Sequence, residues 1–203
     1  MRLEKSRLEN ESLRELARLD HYPDVTTYPG MMEILFRVLE RSGDRRARTS
    51  AAVALGNGFS PTTVVEQFLA ERLPLESDNI KVGPAIIRTL SHLAISAKRA
   101  PSKASQDAIL NSISSSKWPI RRVAVRAVEA LELSKGRKHL LDNIPLETDS
   151  RTLDSTLGAL RSLGVADSET IKLLEAHSKA ATDQNKKQKI QLTIEALQAL
   201  NQN

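Results

Sequence analysis

Cysteine is absent from the 203 residues, which excludes a disulfide framework and any metal site built on thiolates. Aromatic side chains are scarce: Tyr22, Tyr28, Phe36, Phe59, Phe68 and Trp118 are the whole set. A core built from this chain must be made of Leu, Ile, Val and Ala, and single-stranded nucleic acid would find few rings on which to stack its bases. No apolar run approaches the roughly 18–20 residues of a membrane-crossing helix. Met1 to Asp20 carry charge throughout and lack the apolar block of a cleavable secretory signal. These absences lead us to expect a soluble cytoplasmic protein.

What is present is charge, and it is unevenly placed. Residues 1–80 hold 11 basic and 13 acidic side chains, residues 141–203 hold 7 and 9, and residues 81–140 hold 12 and only 3, a local surplus of +9. Such a block attracts anionic partners over long range. Apolar residues recur with a helical period nearly everywhere, and the alternating β-branched runs of strands are missing. About eleven helices joined by short polar loops are expected, so the fold class is all-α. Leu8, Leu13, Leu16 and Leu19 share one face of an opening helix, with Ser6 and Glu9 as its capping box, and Tyr22-Pro23 and Tyr28-Pro29-Gly30 break it. Ser60-Pro61, Asp149 and Asp167 read as helix starts, and Gly43, Gly56, Gly136 and Gly164 as left-handed helix ends.

One apolar pattern recurs five times, ending at Leu55, Leu90, Val128, Leu160 and Leu197, at spacings of 35, 38, 32 and 37 residues. Those spacings belong to stacked helix pairs, in which no pair buries its apolar stripe alone. Ala47-Arg48-Thr49-Ser50-Ala51-Ala52-Val53-Ala54-Leu55-Gly56 resembles the second helix of a HEAT repeat at nearly every fixed position, and Ile120-Arg121 with Ala124 and Ala127 is similar, with Val128 in place of Leu. The other three copies lack the arginine, and Pro84 sits inside the second. The resemblance implies a right-handed α-solenoid, a HEAT-like superhelix of about five antiparallel helix pairs. Residues 1–28 would be an N-terminal capping helix and linker, and residues 29–203 the repeat array.

The candidate binding residues gather in the basic block. On the helix expected from Pro119 to about Leu133, Arg121, Arg122, Arg126, Glu129 and Glu132 fall within an arc of about 140°, opposite Val123, Ala124, Ala127, Ala130 and Leu131. The resemblance would place Arg122 and Arg126 on a concave surface. The competing reading pairs Arg126 with Glu129 and gives Arg48 and Arg121 contacts inside the array. Ser114-Ser115-Ser116-Lys117-Trp118 precede this helix, where backbone amides can hold an anion and Trp118 either anchors a partner or packs against the next repeat. Lys98, Arg99 and Lys103 flank a loop, as Lys135, Arg137 and Lys138 follow the helix. Lys186, Lys187 and Lys189 read as a solvated helix start.

Catalytic patterns are missing. His21, His92, His139 and His177 are widely separated, with no His-Glu dipeptide of the metal-binding HEAT-type hydroxylases, so no metal site is expected. Gly56-Asn57-Gly58 follows a helix and lacks the third glycine of a dinucleotide loop, and there is no phosphate-binding loop or nucleophile elbow. The expectation is a non-enzymatic scaffold or adaptor without cofactors. Its partner would be a protein presenting acidic residues, bound through Lys98, Arg99, Lys103, Lys117, Trp118, Arg121, Arg122 and Arg126; binding of nucleic acid or another polyanion by the same residues is the alternative.

Overall fold

The computed structural model describes residues 29–57, 59, 62–164 and 167–200. The expected capping helix and the Ser60-Pro61 helix start lie outside the described residues. Among the described residues there are ten α-helices and no strand: α1 (Met31–Arg41), α2 (Arg45–Ala54), α3 (Thr62–Arg72), α4 (Val82–Ser96), α5 (Lys103–Ser112), α6 (Trp118–Ala130), α7 (Gly136–Asn143), α8 (Ser150–Ser162), α9 (Ser168–Ala180) and α10 (Gln184–Leu200), with one 3-10 turn, Leu73–Glu76, after α3. None is long and apolar enough to cross a membrane.

The chain divides into two compact units, one up to Ala108 and one from Ile109, so the boundary falls inside α5. In the first unit α2 packs against α1 and α4, and α3 against α4. In the second, α6, α8 and α10 lie in succession, α7 touches α8 and α9, and α9 pairs with α10. The five recurring apolar patterns occupy α2, α4, α6, α8 and α10. Their terminal residues Leu55, Leu90, Val128, Leu160 and Leu197 are all fully buried. So are Ala51, Ile86, Ala124, Thr156 and Thr193, each four residues earlier and hence on the same helical face.

Local chemistry sets the helix bounds. Asp149 caps α8 by accepting from the Thr152 amide at 2.8 Å, and Asp167 caps α9 through the Thr170 amide at 2.7 Å. Pro84 is the third residue of α4, in a first turn that needs no amide donor, so it starts the helix instead of breaking it. Thr89 of α4 donates to the Ala52 carbonyl of α2 at 2.9 Å, bonding two successive apolar copies.

The glycines depart from expectation. Of the four proposed left-handed helix ends only Gly164 has a positive φ, +64°. The left-handed residues that terminate α4 and α6 are Lys98 (φ 49°) and Glu132 (φ 50°). In each case the following amide bonds five residues back, Arg99 to Ala94 at 3.2 Å and Leu133 to Val128 at 3.0 Å. For this reason α6 stops at Ala130, short of the expected Leu133. Gly136 opens α7 instead of ending α6, and a Cβ there would lie 2.5 Å from Val128 Cγ1. Because the β-branched Val128 is fully buried and stiff, Gly136→Ala is expected to cost about 1–3 kcal/mol in a urea titration. A loss below about 0.5 kcal/mol would show that this contact relaxes freely.

Candidate functional site

The sequence-nominated residues separate into those that hold the fold and those that face outward. Arg121 belongs to the first group. Its Nε and Nη2 donate to both carboxylate oxygens of Glu147, at 2.7 and 2.6 Å, and its Nη1 donates to the Ser115 carbonyl at 2.9 Å. The Arg121 side chain is 12% exposed and that of Glu147 is fully buried. The Glu147 bonds raise the guanidinium above its already high ordinary value, against the opposing effect of burial. The Arg121 charge is thus already matched within the fold by Glu147.

Arg48 is held the same way in the first unit. It donates to the Ser42 carbonyl at 2.7 Å and to Glu76 at 3.2 Å, and Arg72 also donates to Glu76 at 2.8 Å. The two ties are copies: Arg48 and Arg121 each reach back six residues to a serine carbonyl and forward to a buried glutamate 28 or 26 residues on. Both glutamates stand in one short motif, Pro74-Leu75-Glu76-Ser77-Asp78 and Pro145-Leu146-Glu147-Thr148-Asp149. This motif is the signal in the sequence, and it lies outside the helical apolar period because it falls between the longer helices. In both copies the middle leucine points outward, Leu75 being 72% and Leu146 76% exposed.

Arg99 also serves the fold. It donates to Glu66, 1% exposed, at 2.5 Å, and the Ser102 amide donates to the same carboxylate at 2.6 Å. Burial pushes the Glu66 carboxyl up. The bonds from Arg99, Ser102 and Ser105 and the charge of Arg99 outweigh it and hold the carboxyl below its ordinary 4.5. A folded value below the unfolded one means that ionised Glu66 stabilises the protein above that pH and that the contribution disappears as acid protonates it. Urea midpoints are therefore expected to fall as pH drops through and below 4.5, and to fall less steeply in Arg99→Met. Parallel pH profiles for the two proteins would contradict this.

Lys186 and Lys189, expected to be solvated, are half-buried. Lys186 Nζ donates to the Pro145 and Glu147 carbonyls at 3.2 and 3.0 Å, and Lys189 Nζ to Ser150 Oγ at 2.8 Å. Arg137 pairs with Asp167. At the start of α6 Pro119 has no amide hydrogen, and the amides of Ile120 and Arg121 donate to the Lys117 carbonyl.

The outward group comprises Lys98, Lys103, Lys117, Trp118 and Arg126, with Arg122 half-buried. The structure places Lys98 and Lys103 in the first unit and the others in the second. No ion pair joins Arg126 to Glu129 among the described residues; Glu129 accepts from Ser162 at 2.7 Å. Of the predicted outer arc, Arg126 and Glu132 are exposed and Arg121, Arg122 and Glu129 half-buried, while the buried face of α6 is Ile120, Ala124, Val125, Ala127 and Val128, with Val123, Ala130 and Leu131 outside it. Trp118, 41% exposed, lines a cavity of about 500 Å³ with Ser116, Arg121, Leu146, Thr148 and Asp149. Asp149 is partly buried, which pushes its carboxyl up. The Thr152 bonds and the charges of Arg151 and Arg122 outweigh this and hold it below the usual range. Both arginines are therefore near this wall.

No protein-family model matches the chain, and no curated protein matches it either.

Proposed function

We propose that the protein is a HEAT-like α-solenoid scaffold or adaptor, with about five helix pairs and no catalytic role, which binds an acidic protein partner through the exposed cations of α6. The repeat reading is supported by the five apolar copies on alternate helices, each with its terminal residue fully buried. The binding reading rests on Lys117 and Arg126, exposed cations that no acid pairs with among the described residues.

The +9 surplus of residues 81–140 first suggests a general polyanion surface. Three of its twelve cations, however, are matched by acids from outside the block: Arg99 by Glu66, Arg121 by Glu147 and Arg137 by Asp167. The open charge is correspondingly smaller; of the nine cations left, Lys117, Arg122 and Arg126 gather at α6 beside the exposed Trp118, which favours a local protein contact over a phosphate track.

The deciding experiment compares the wild type with a Lys117→Glu, Arg122→Glu, Arg126→Glu variant. Bound proteins recovered by the wild type should be lost from the variant, while mixed-sequence DNA and RNA duplexes should bind neither form between about 50 and 200 mM salt. Tight duplex binding that weakens linearly in log salt would replace the protein-partner reading with the polyanion one. Recovery of the same proteins by both forms would remove α6 from the interface.

A further inference from the structure

Residues that the Arg–Glu tie requires should be present in both copies, whereas residues found in one copy alone serve something else. Ser42 and Ser115, Arg48 and Arg121, and the Pro-Leu-Glu triplets are shared. At the corresponding positions around them, the first unit has Asp44, Thr49, Val53 and Ile80, and the second has Lys117, Arg122, Arg126 and Arg151. Arg45-Arg46 in the first unit is replaced by Trp118-Pro119 in the second. The second copy thus carries a tryptophan and four cations where the first carries Arg45, Asp44, Thr49, Val53 and Ile80, and the tie itself demands none of them; of these, Trp118 lines the cavity beside the exposed Leu146.

The backbone on both sides of that leucine is also tied into the fold. Glu147, its neighbour, is bonded through the side chain to Arg121, and the carbonyls on either side of Leu146 accept from Lys186. The backbone that presents this side chain, 76% exposed, is therefore held in place before any partner arrives, so little backbone freedom would be lost on binding. Trp118 and Leu146 line the same cavity.

We propose that the cavity between Trp118 and Leu146 docks an extended acidic peptide segment. One large apolar side chain of the segment inserts between these two residues, and its flanking carboxylates meet Lys117, Arg122 and Arg151. The inference rests on the protein-binding reading of α6 and adds where and how the partner is held. A cavity of about 500 Å³ accommodates more than one side chain. A peptide suits the site better than nucleic acid, because the exposed aliphatic Leu146, one of the two side chains of the docking pair, has no π-face for a base and matches an apolar side chain.

The test uses the full chain and a labelled peptide of Asp, Glu, Gly and Ser with one central Leu, followed by fluorescence anisotropy. The peptide is expected to bind, and Trp118→Ala and Leu146→Ala should each weaken it about tenfold. Leu75→Ala, at the equivalent exposed position of the first unit, should leave binding unchanged, and helicity should be unaltered in all three variants. Replacing the central Leu of the peptide by Ser should mimic Leu146→Ala. Wild-type affinity in both Trp118→Ala and Leu146→Ala, with binding still lost in the Lys117, Arg122, Arg126 charge-reversed protein, would overturn this docking mode while keeping the α6 reading. No binding of the peptide by the wild type, or tighter binding of a single-stranded oligonucleotide of equal charge, would overturn it as well, the second outcome replacing the protein partner with nucleic acid.

Discussion

Glu147→Ala is expected to lower the stability of the protein by about 3–5 kcal/mol, the largest effect of any single polar substitution in the second unit. The change leaves the Arg121 guanidinium, only 12% exposed, without an acid. It also strips the Asp149 amide of its 2.8 Å acceptor at the entry to α8. The penalty comes mainly from the orphaned charge, because taking two ions out of water offsets most of their mutual attraction. The double variant Arg121→Met, Glu147→Leu should accordingly recover most of the loss. Urea unfolding of the wild type, Arg121→Met, Glu147→Leu and the double variant checks this as a cycle, with Glu147→Ala measured beside it. If the double variant is no more stable than Glu147→Ala, the pair contributes through geometry that aliphatic side chains cannot replace, and the orphaned-charge account fails.

Leu55→Ala, Leu90→Ala, Leu160→Ala and Leu197→Ala are each expected to cost about 2–5 kcal/mol, the lost transfer energy plus the cavity left behind. All four leucines are fully buried at the end of an apolar copy. Leu75→Ala and Leu146→Ala, the same chemical change at 72% and 76% exposure, should stay within about 0.5 kcal/mol. The contrast measures whether the five copies do the same job. A loss at Leu197 as small as that at Leu146 would remove α10 from the set.

These two expectations mark where the sequence was legible and where it was not. The apolar copies are local: Ala51 and Leu55, or Ala124 and Val128, share a helical face whatever surrounds them, so their burial follows from spacing alone. Asp149 and Asp167 are equally local, since a cap reaches only two or three residues. The Arg–Glu ties are not local. Nothing in the helical period of α6 says that a glutamate 26 residues later will fold back against Arg121, and the same blindness made the +9 block look more open than it is. Lys186 is the same error in reverse, a cation in a polar run whose partners are backbone carbonyls, which carry no mark in the sequence. Gly136 was misread because a glycine required for close approach to Val128 looks the same, in one sequence, as a glycine required for a left-handed turn.

Trp118 has a practical consequence as well. It is the single tryptophan of the chain, it is 41% exposed, and it sits in the second unit. Excited at the red edge of its absorption, the protein emits from one known place, the first turn of α6. A melt followed by this emission reports the surroundings of that turn, whereas far-ultraviolet ellipticity averages over the helices of both units. Agreement of the two midpoints would mean that the units unfold as one cooperative block, and a gap between them would give the stability of each separately, with no label attached.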